Sequence, residues 1–256
     1  MKRGKHAKVK RKSIIQIFCI IIFLTSIFSL ILYFRKSNEE QQLSQDILND
    51  IEIDTSQVTE EKSERILQLE ELQKENSEIV AWLEIEGTSI NYPVCQTTNN
   101  DYYLTHNYKK EKYSYGSLFL DKDFDLTNGS SNYLIYGHRS TKGLMFEDLM
   151  KYAKEDFYKD HPTIRLTTLK EDATYEIMAV FYSRVYYKSE KNVFRYYYFV
   201  NAENEEQYND FVNNAKKVSI YDTGVTATYG EQLLTLSTCE YSQEDGRFAV
   251  VAKKKQ

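Results

Sequence analysis

Over most of this chain apolar and polar residues alternate in short runs, the period-two signature of strands with one face turned inward. Eight such runs stand out: Val80–Glu86, Ser89–Gln96, Ser117–Asp121, Asn132–Tyr136, Thr163–Thr168, Thr174–Tyr187, Gln232–Thr238 and Arg247–Lys253. Two stretches change to a helical rhythm, Met145–Tyr152 and Ala202–Lys217. A third helix is predicted from Glu60 to about Asn76, where Ile66, Leu69, Leu72, Asn76 and Ile79 follow the helical period. That stripe is too short to insist on a coiled coil and is expected to pack against the body that follows. Eight strands interrupted by a few helices predict a mainly β fold, a closed or nearly closed barrel that leaves no strand edge exposed.

Ahead of the strands the pattern is different. Lys2, Arg3, Lys5, Lys8, Lys10, Arg11 and Lys12 precede an apolar run, residues 14–34, interrupted only by Gln16, Thr25, Ser26 and Ser29. At ~1.5 Å per residue this run matches a hydrocarbon core of about 30 Å and predicts a single transmembrane helix. The basic flank predicts a cytoplasmic N-terminus and an external C-terminus. A cleaved signal peptide is the rival; its apolar region runs to ~7–15 residues before a small-residue cleavage site. The longer run here, followed by Leu32-Tyr33-Phe34-Arg35-Lys36, favours an uncleaved anchor. The expected organisation is a basic cytoplasmic tail over 1–13, a transmembrane helix over 14–34 and a polar stalk over 35–59. A single strand-rich domain with a helical extension at its start fills 60–256.

Charge sharpens this division. The net charge of −5 averages nine Lys and Arg with no acid in residues 1–36 against −14 on residues 37–256. An acidic body makes nucleic acid an unsuitable partner. Twenty-two Tyr, thirteen Phe and only two Pro fit a folded, strand-rich domain rather than a disordered spacer.

Candidate chemistry gathers at strand ends. In Thr235-Leu236-Ser237-Thr238-Cys239, Leu234 and Leu236 share one strand face, while Thr235, Ser237 and Cys239 share the other. The thiol is therefore expected at a strand's end on a small, polar face. Arg247 heads Arg247-Phe248-Ala249-Val250-Val251-Ala252, and the connection Glu240–Gly246 is short enough to bring it beside Cys239. A neighbouring cation favours the thiolate, and a fixed guanidinium can hydrogen-bond a developing oxyanion. Tyr133-Leu134-Ile135-Tyr136-Gly137-His138 is a further strand ending on a histidine, so Cys239, His138 and Arg247 form a candidate acyl-transfer site.

The other candidates are weaker. His6 lies in the basic tail, and His106 and His161 sit in turn-like contexts. Cys19 lies in the apolar run and Cys95 in an apolar strand, where a buried core thiol is expected. Cys95 and Cys239 could pair, although an intact thiol accounts better for the surroundings of Cys239. No Cys-x-x-Cys pair is present and the histidines are scattered, so neither a metal nor another cofactor is expected.

The Thr-Leu-Ser-Thr-Cys tract, the downstream Arg247, and Tyr-Gly-His followed by Met145-Phe146 resemble the class B sortases. These are cysteine transpeptidases of Gram-positive cell surfaces, and the resemblance covers roughly Ile79 to Lys253. It implies an eight-stranded barrel, N-terminal helices and a long helix, here Glu203–Lys217, before the cysteine strand. It implies that the Cys239 thiolate attacks a threonine carbonyl in the C-terminal sorting signal of a secreted surface protein. A peptidoglycan cross-bridge amine then resolves the thioester. His138 would be the general acid, and Arg247 with the backbone N–H of Glu240 would hold the oxyanion. Asn100, Leu104, Tyr136, Ser237 and Thr238 resemble residues that hold the sorting peptide. One departure is Arg139-Ser140-Thr141-Lys142-Gly143, where many members have Asn then Met after Tyr-Gly-His. Two other readings keep the same residues: a thiol endopeptidase with water as acceptor, and a membrane-anchored binding module without chemistry.

Overall fold

The computed structural model describes residues 16, 18–32, 35, 64–140, 142–239 and 241–256. The basic tail, stalk residues 36–59, Thr141 and Glu240 lie outside them. The chain divides into two units, residues 1–49 and 50–256. In the first, residues 18–32 are helical with exposed side chains. The hydroxyls of Thr25 and Ser26 both donate to the Ile22 carbonyl, which satisfies polar groups within an apolar helix. No helix among the described residues is long and apolar enough to cross a membrane. The expected 14–34 span includes residues outside the described set.

The second unit is a closed barrel of eight strands. They are β1 (Ile79–Glu84), β2 (Asn91–Cys95), β3 (Leu118–Leu120), β4 (Asn132–Tyr136), β5 (Thr163–Thr168), β6 (Asp172–Arg184), β7 (Leu233–Cys239) and β8 (Gly246–Lys254). Around the barrel the order is β1-β2-β3-β4-β7-β8-β6-β5. Each strand expected from alternation is present: two keep the expected ends and the other six have ends moved by one to three residues. Most pairs are antiparallel, but β4 runs parallel to β7, and β2 to β3. The β4–β7 pair matters most for the chemistry, since two parallel neighbours end on the same rim.

Among the described residues three α-helices dress the barrel: α1 (Glu64–Glu75), α2 (Glu155–Asp160) and α3 (Glu205–Val218). α1 buries Ile66, Leu67, Leu69 and Leu72 and packs on β1 and β5. The stripe therefore belongs to the body. α3 packs on β6 with Tyr208, Phe211, Val212 and Ala215 inward, and Asn204 caps its start by accepting from the Gln207 N–H.

One expected helix is corrected. Met145–Tyr152 does not form an α-helix; a 3₁₀ stretch, Asp148–Ala153, stands there instead. Met145 adopts a left-handed φ of 54° and bridges Arg139, so the chain folds back until the Phe146 N–H meets the His138 carbonyl at 2.9 Å. That return uses up the first turn of any helix. The short helix α2 had no distinct apolar stripe to reveal it; it buries no residue.

Closure of the barrel changes the face of β7. Thr235 and Ser237 are buried as completely as Leu234 and Leu236. Thr235 Oγ1 donates to Asn132 Oδ1 at 2.9 Å, so the small polar side chains of this strand are satisfied internally. Only Cys239, at the strand's end, is half-buried.

Candidate active site

The site is assembled on the rim where β4, β7 and β8 end or begin. Cys239 is the last residue of β7, and the antiparallel return of β8 places Arg247 directly opposite it. Cβ atoms of such a pair lie about 4.5–5.5 Å apart, which puts the guanidinium within reach of the thiol. The turn before β8 passes through Asp245 at φ 52° and is held when Asp245 O accepts from the Val185 N–H at 3.0 Å. Arg247 Nη1 donates to the carbonyls of Gly246 at 2.9 Å and Asp245 at 3.3 Å. Among the described residues, Nε and Nη2 have no acceptor. One arm of the fork is thus anchored to the hairpin while donors remain for another oxygen.

His138 reaches the same rim from β4. Tyr136 pairs with Ser237, so His138 and Cys239 each lie two residues beyond a paired position on adjacent parallel strands. Between Tyr136 and His138 stands Gly137, and a Cβ there would lie 2.4 Å from Leu118 Cδ2 and 2.6 Å from Phe146 Cδ2. Only glycine lets the strand pass that close. The Gly137 N–H donates to Ser237 O, and Thr238 Oγ1 donates to Gly137 O at 2.8 Å, a buried bond. His138 Nε2–H donates to the Leu104 carbonyl at 2.7 Å, because a carbonyl can only accept. That bond assigns the proton to Nε2.

Arg247, Cys239 and His138 open onto one cleft of about 250 Å³. The cleft is also lined by each of Asn100, Leu104, Tyr136, Ser237 and Thr238. Their polar side chains are engaged in holding its walls. Tyr136 Oη and Asn100 Nδ2 both donate to Asp121 Oδ2, at 3.0 and 2.9 Å, and Asn100 Oδ1 accepts from the Lys122 N–H. Glu240 lies outside the described residues.

Phe119, Val185, Tyr196 and Tyr197 also line the cleft, and alternation along the chain gave no hint of them. The run Tyr196-Tyr197-Tyr198, a 3₁₀ turn between β6 and α3, was the available signal, since an aromatic triplet in a connection invites a wall. Tyr196 is fully buried and its hydroxyl shares a 2.7 Å hydrogen bond with Ser237 Oγ. Burial pushes its phenol well above the usual range, against a smaller downward pull from the Ser237 bond and Arg247. The phenol of Tyr136 is raised for the same first reason, with the Asp121 carboxylate adding to it. Both phenols stay neutral at physiological pH and serve the cleft as hydrogen-bonding walls.

The other two histidines among the described residues are structural, while His6 lies outside them. His106 stacks on Tyr102 at 4.1 Å between ring centroids, and His161 follows α2 against Phe157. Cys95 and Cys239 are both free thiols, and Cys95 is wholly buried. Among the described residues no group of three His, Cys, Asp or Glu side chains could hold a metal ion.

Comparison with known proteins gives this arrangement a family. The sortase domain model matches residues 83–255. Sortase B of Listeria monocytogenes is 37% identical over 192 residues, 73% of each chain. A Staphylococcus aureus sortase B–substrate complex superposes with a TM-score of 0.71 at 29% identity, covering 87% of this chain and 97% of that one. Sortase B of B. anthracis, in a complex with AAEK1, gives the same TM-score at 32% identity, over 87% of this chain and 99% of the other. A domain match across most of the sequence, joined to relatives of one class in both sequence and fold, means that the chain belongs to the class B sortases and is a cysteine transpeptidase.

Proposed function

We propose that Cys239 is the nucleophile of this transpeptidase, His138 its proton-transfer group and Arg247 its oxyanion donor. The observation that carries the reading is the register of Arg247 opposite Cys239, in a cleft shared with His138. The Cys239 thiolate attacks the carbonyl carbon of a threonine in a C-terminal sorting signal, forming the S–C bond. The tetrahedral oxyanion is held by Arg247 and by the backbone N–H of Glu240. Collapse breaks the C–N bond, and the leaving amine takes a proton from the imidazolium of His138. An amine of the peptidoglycan cross-bridge then attacks the thioester and gives its proton to His138. The C–S bond breaks, the thiolate is regenerated, and an amide joins the surface protein to the wall. Asn100, Leu104, Tyr136, Ser237 and Thr238 shape the groove for the sorting peptide.

The same reading places the protein in the cell membrane. Residues 14–34 form the anchor, 1–13 remain in the cytoplasm, and 35–59 form a stalk that carries the catalytic domain outside. The nine basic residues without an acid in 1–36, and the apolar run they flank, support that orientation.

The test is product analysis with a sorting-signal peptide. Wild-type protein should release the C-terminal fragment and, with an added amine, form the amide in place of the hydrolysed acid. Cys239→Ala should do neither while keeping its fold. Turnover by that variant with contaminating enzyme excluded would sink the mechanism, and acid as the sole product with amine in excess would make it an endopeptidase.

A further inference from the structure

The hydrogen bond from His138 to Leu104 raises the question of what holds the acceptor still. Leu104 ends a 3₁₀ turn, Tyr102–Leu104, in a connection on the cleft rim. A surface turn is a poor anchor for a proton-transfer group unless something fixes it. Its middle residue, Tyr103, is only 1% exposed and points away from the cleft, towards the junction of α1 and β1. There its hydroxyl donates to Glu78 Oε2 at 2.7 Å and accepts from Asn76 Nδ2 at 2.9 Å. Asn76 also donates to the Tyr108 carbonyl at 2.6 Å, and Lys110 Nζ closes the far side of Glu78 at 3.1 Å. The backbone of the same residue is gripped from the other side. Tyr103 O accepts from the Ser117 N–H at 2.9 Å, an approach open only because residue 116 is glycine at φ +58°, where a Cβ would sit 2.1 Å from that oxygen.

We propose that Tyr103 is a positioning residue for His138: locked between Asn76 and Glu78, it fixes the turn whose Leu104 carbonyl holds the Nε2–H of the imidazole. The ring is thereby kept in one tautomer, with Nδ1 as the nitrogen that exchanges a proton with the substrate. The buried pair of Tyr103 and Asn76, with the half-buried Glu78 as acceptor, is stiff, because moving either of the pair leaves the other without its hydrogen bond. The consequence reaches beyond the cleft. The end of the N-terminal helix and the first residues of β1, which touch no substrate, set the orientation of the group that moves protons. This assignment rests on His138 as the proton-transfer group proposed above.

Tyr103→Phe in the full-length protein keeps the ring and removes the hydroxyl. Nitrogen NMR of histidine-labelled protein in detergent micelles, at mildly alkaline pH and with His138 assigned by His138→Gln, should show wild-type His138 protonated at Nε2. Tyr103→Phe should show mixed tautomers, with kcat for amine transfer down about tenfold and KM unchanged. Glu78→Gln, which still offers an oxygen to the phenol, should recover most of the kcat that Glu78→Ala loses, a rescue that general loosening would not give. An unchanged tautomer and kcat in folded Tyr103→Phe would overturn the proposal. Should circular dichroism find that variant unfolded, equal rates for the two Glu78 variants would overturn it instead. Wild-type transfer by His138→Gln would strike the role of His138 itself, and the tautomer spectra would then judge the positioning alone.

Discussion

Thr238 and Gly137 are tied by a buried 2.8 Å hydrogen bond from the threonine hydroxyl to the glycine carbonyl. Each residue stands one position before a side chain of the proposed catalytic set, Cys239 in one case and His138 in the other. The bond therefore sets the separation of thiol and imidazole from the backbone, without either of them having to touch.

Thr238→Val tests that tie with almost no change of shape. It leaves the Gly137 carbonyl buried and without its donor, which costs about 1–3 kcal/mol of stability. Transfer should slow beyond what the lost stability explains, because the strand ends are free to shift. Denaturant unfolding and steady-state transfer on the same preparations check both effects. A variant as stable and as active as wild type would make the bond incidental.

Arg247→Lys keeps the charge opposite Cys239 and loses the fork. One arm of that fork is already spent on the carbonyls of Gly246 and Asp245, so the geometry of the remaining donors is fixed by the hairpin. Loss of an oxyanion donor costs about 2.7–4 kcal/mol of transition-state stabilisation, read mainly in kcat. A change confined to KM would reassign Arg247 to peptide binding.

Cys95 gives the fold a pH dependence separate from its chemistry. Burial pushes this thiol up to about 12, against a smaller opposing pull from the neighbouring Tyr103. In the unfolded chain it releases its proton near its ordinary 9.0. Between those values the unfolded state binds fewer protons, so stability falls as pH rises through that window. Burial raises Tyr152 and Tyr175 as well, and their contributions have the same sign. Unfolding free energies of Cys95→Ala should decline less steeply above pH 9 than those of wild type. Parallel slopes for the two proteins would remove Cys95 from the account.

Topology decides whether the chemistry meets a substrate. Protease added to intact, wall-stripped cells should remove the catalytic domain and spare the basic segment before residue 14. Full protection of the C-terminal domain, with the membrane shown to be sealed, would place Cys239 in the cytoplasm and end the wall-anchoring proposal.

The barrel was legible because each strand carries its own period: Leu234 and Leu236, or Leu134 and Tyr136, announce a face without reference to any other strand. The bringing together of Cys239, His138 and Arg247 was legible for a related reason, since each stands at an end of one of those runs. What alternation could not show are relations made across the fold. Asp121 accepts from both Tyr136 and Asn100, and Tyr196 reaches Ser237 from a connection with no period of its own. Met145 defeated the helix predicted from it because a distant requirement, the return of Phe146 to the His138 carbonyl, imposed a left-handed backbone there. The two faces of β7 read as apolar and polar, yet closure buried both.

The parallel pairing of β4 with β7 has a kinetic meaning as well. The bond between Thr238 and Gly137 spans 101 positions of sequence, and no local segment of the chain can form the cleft by itself. Such high contact order delays assembly until the distant strands have found each other. The thiol and the guanidinium share one hairpin and can meet early, but the imidazole joins them only when the barrel closes, so the three come together with the finished architecture.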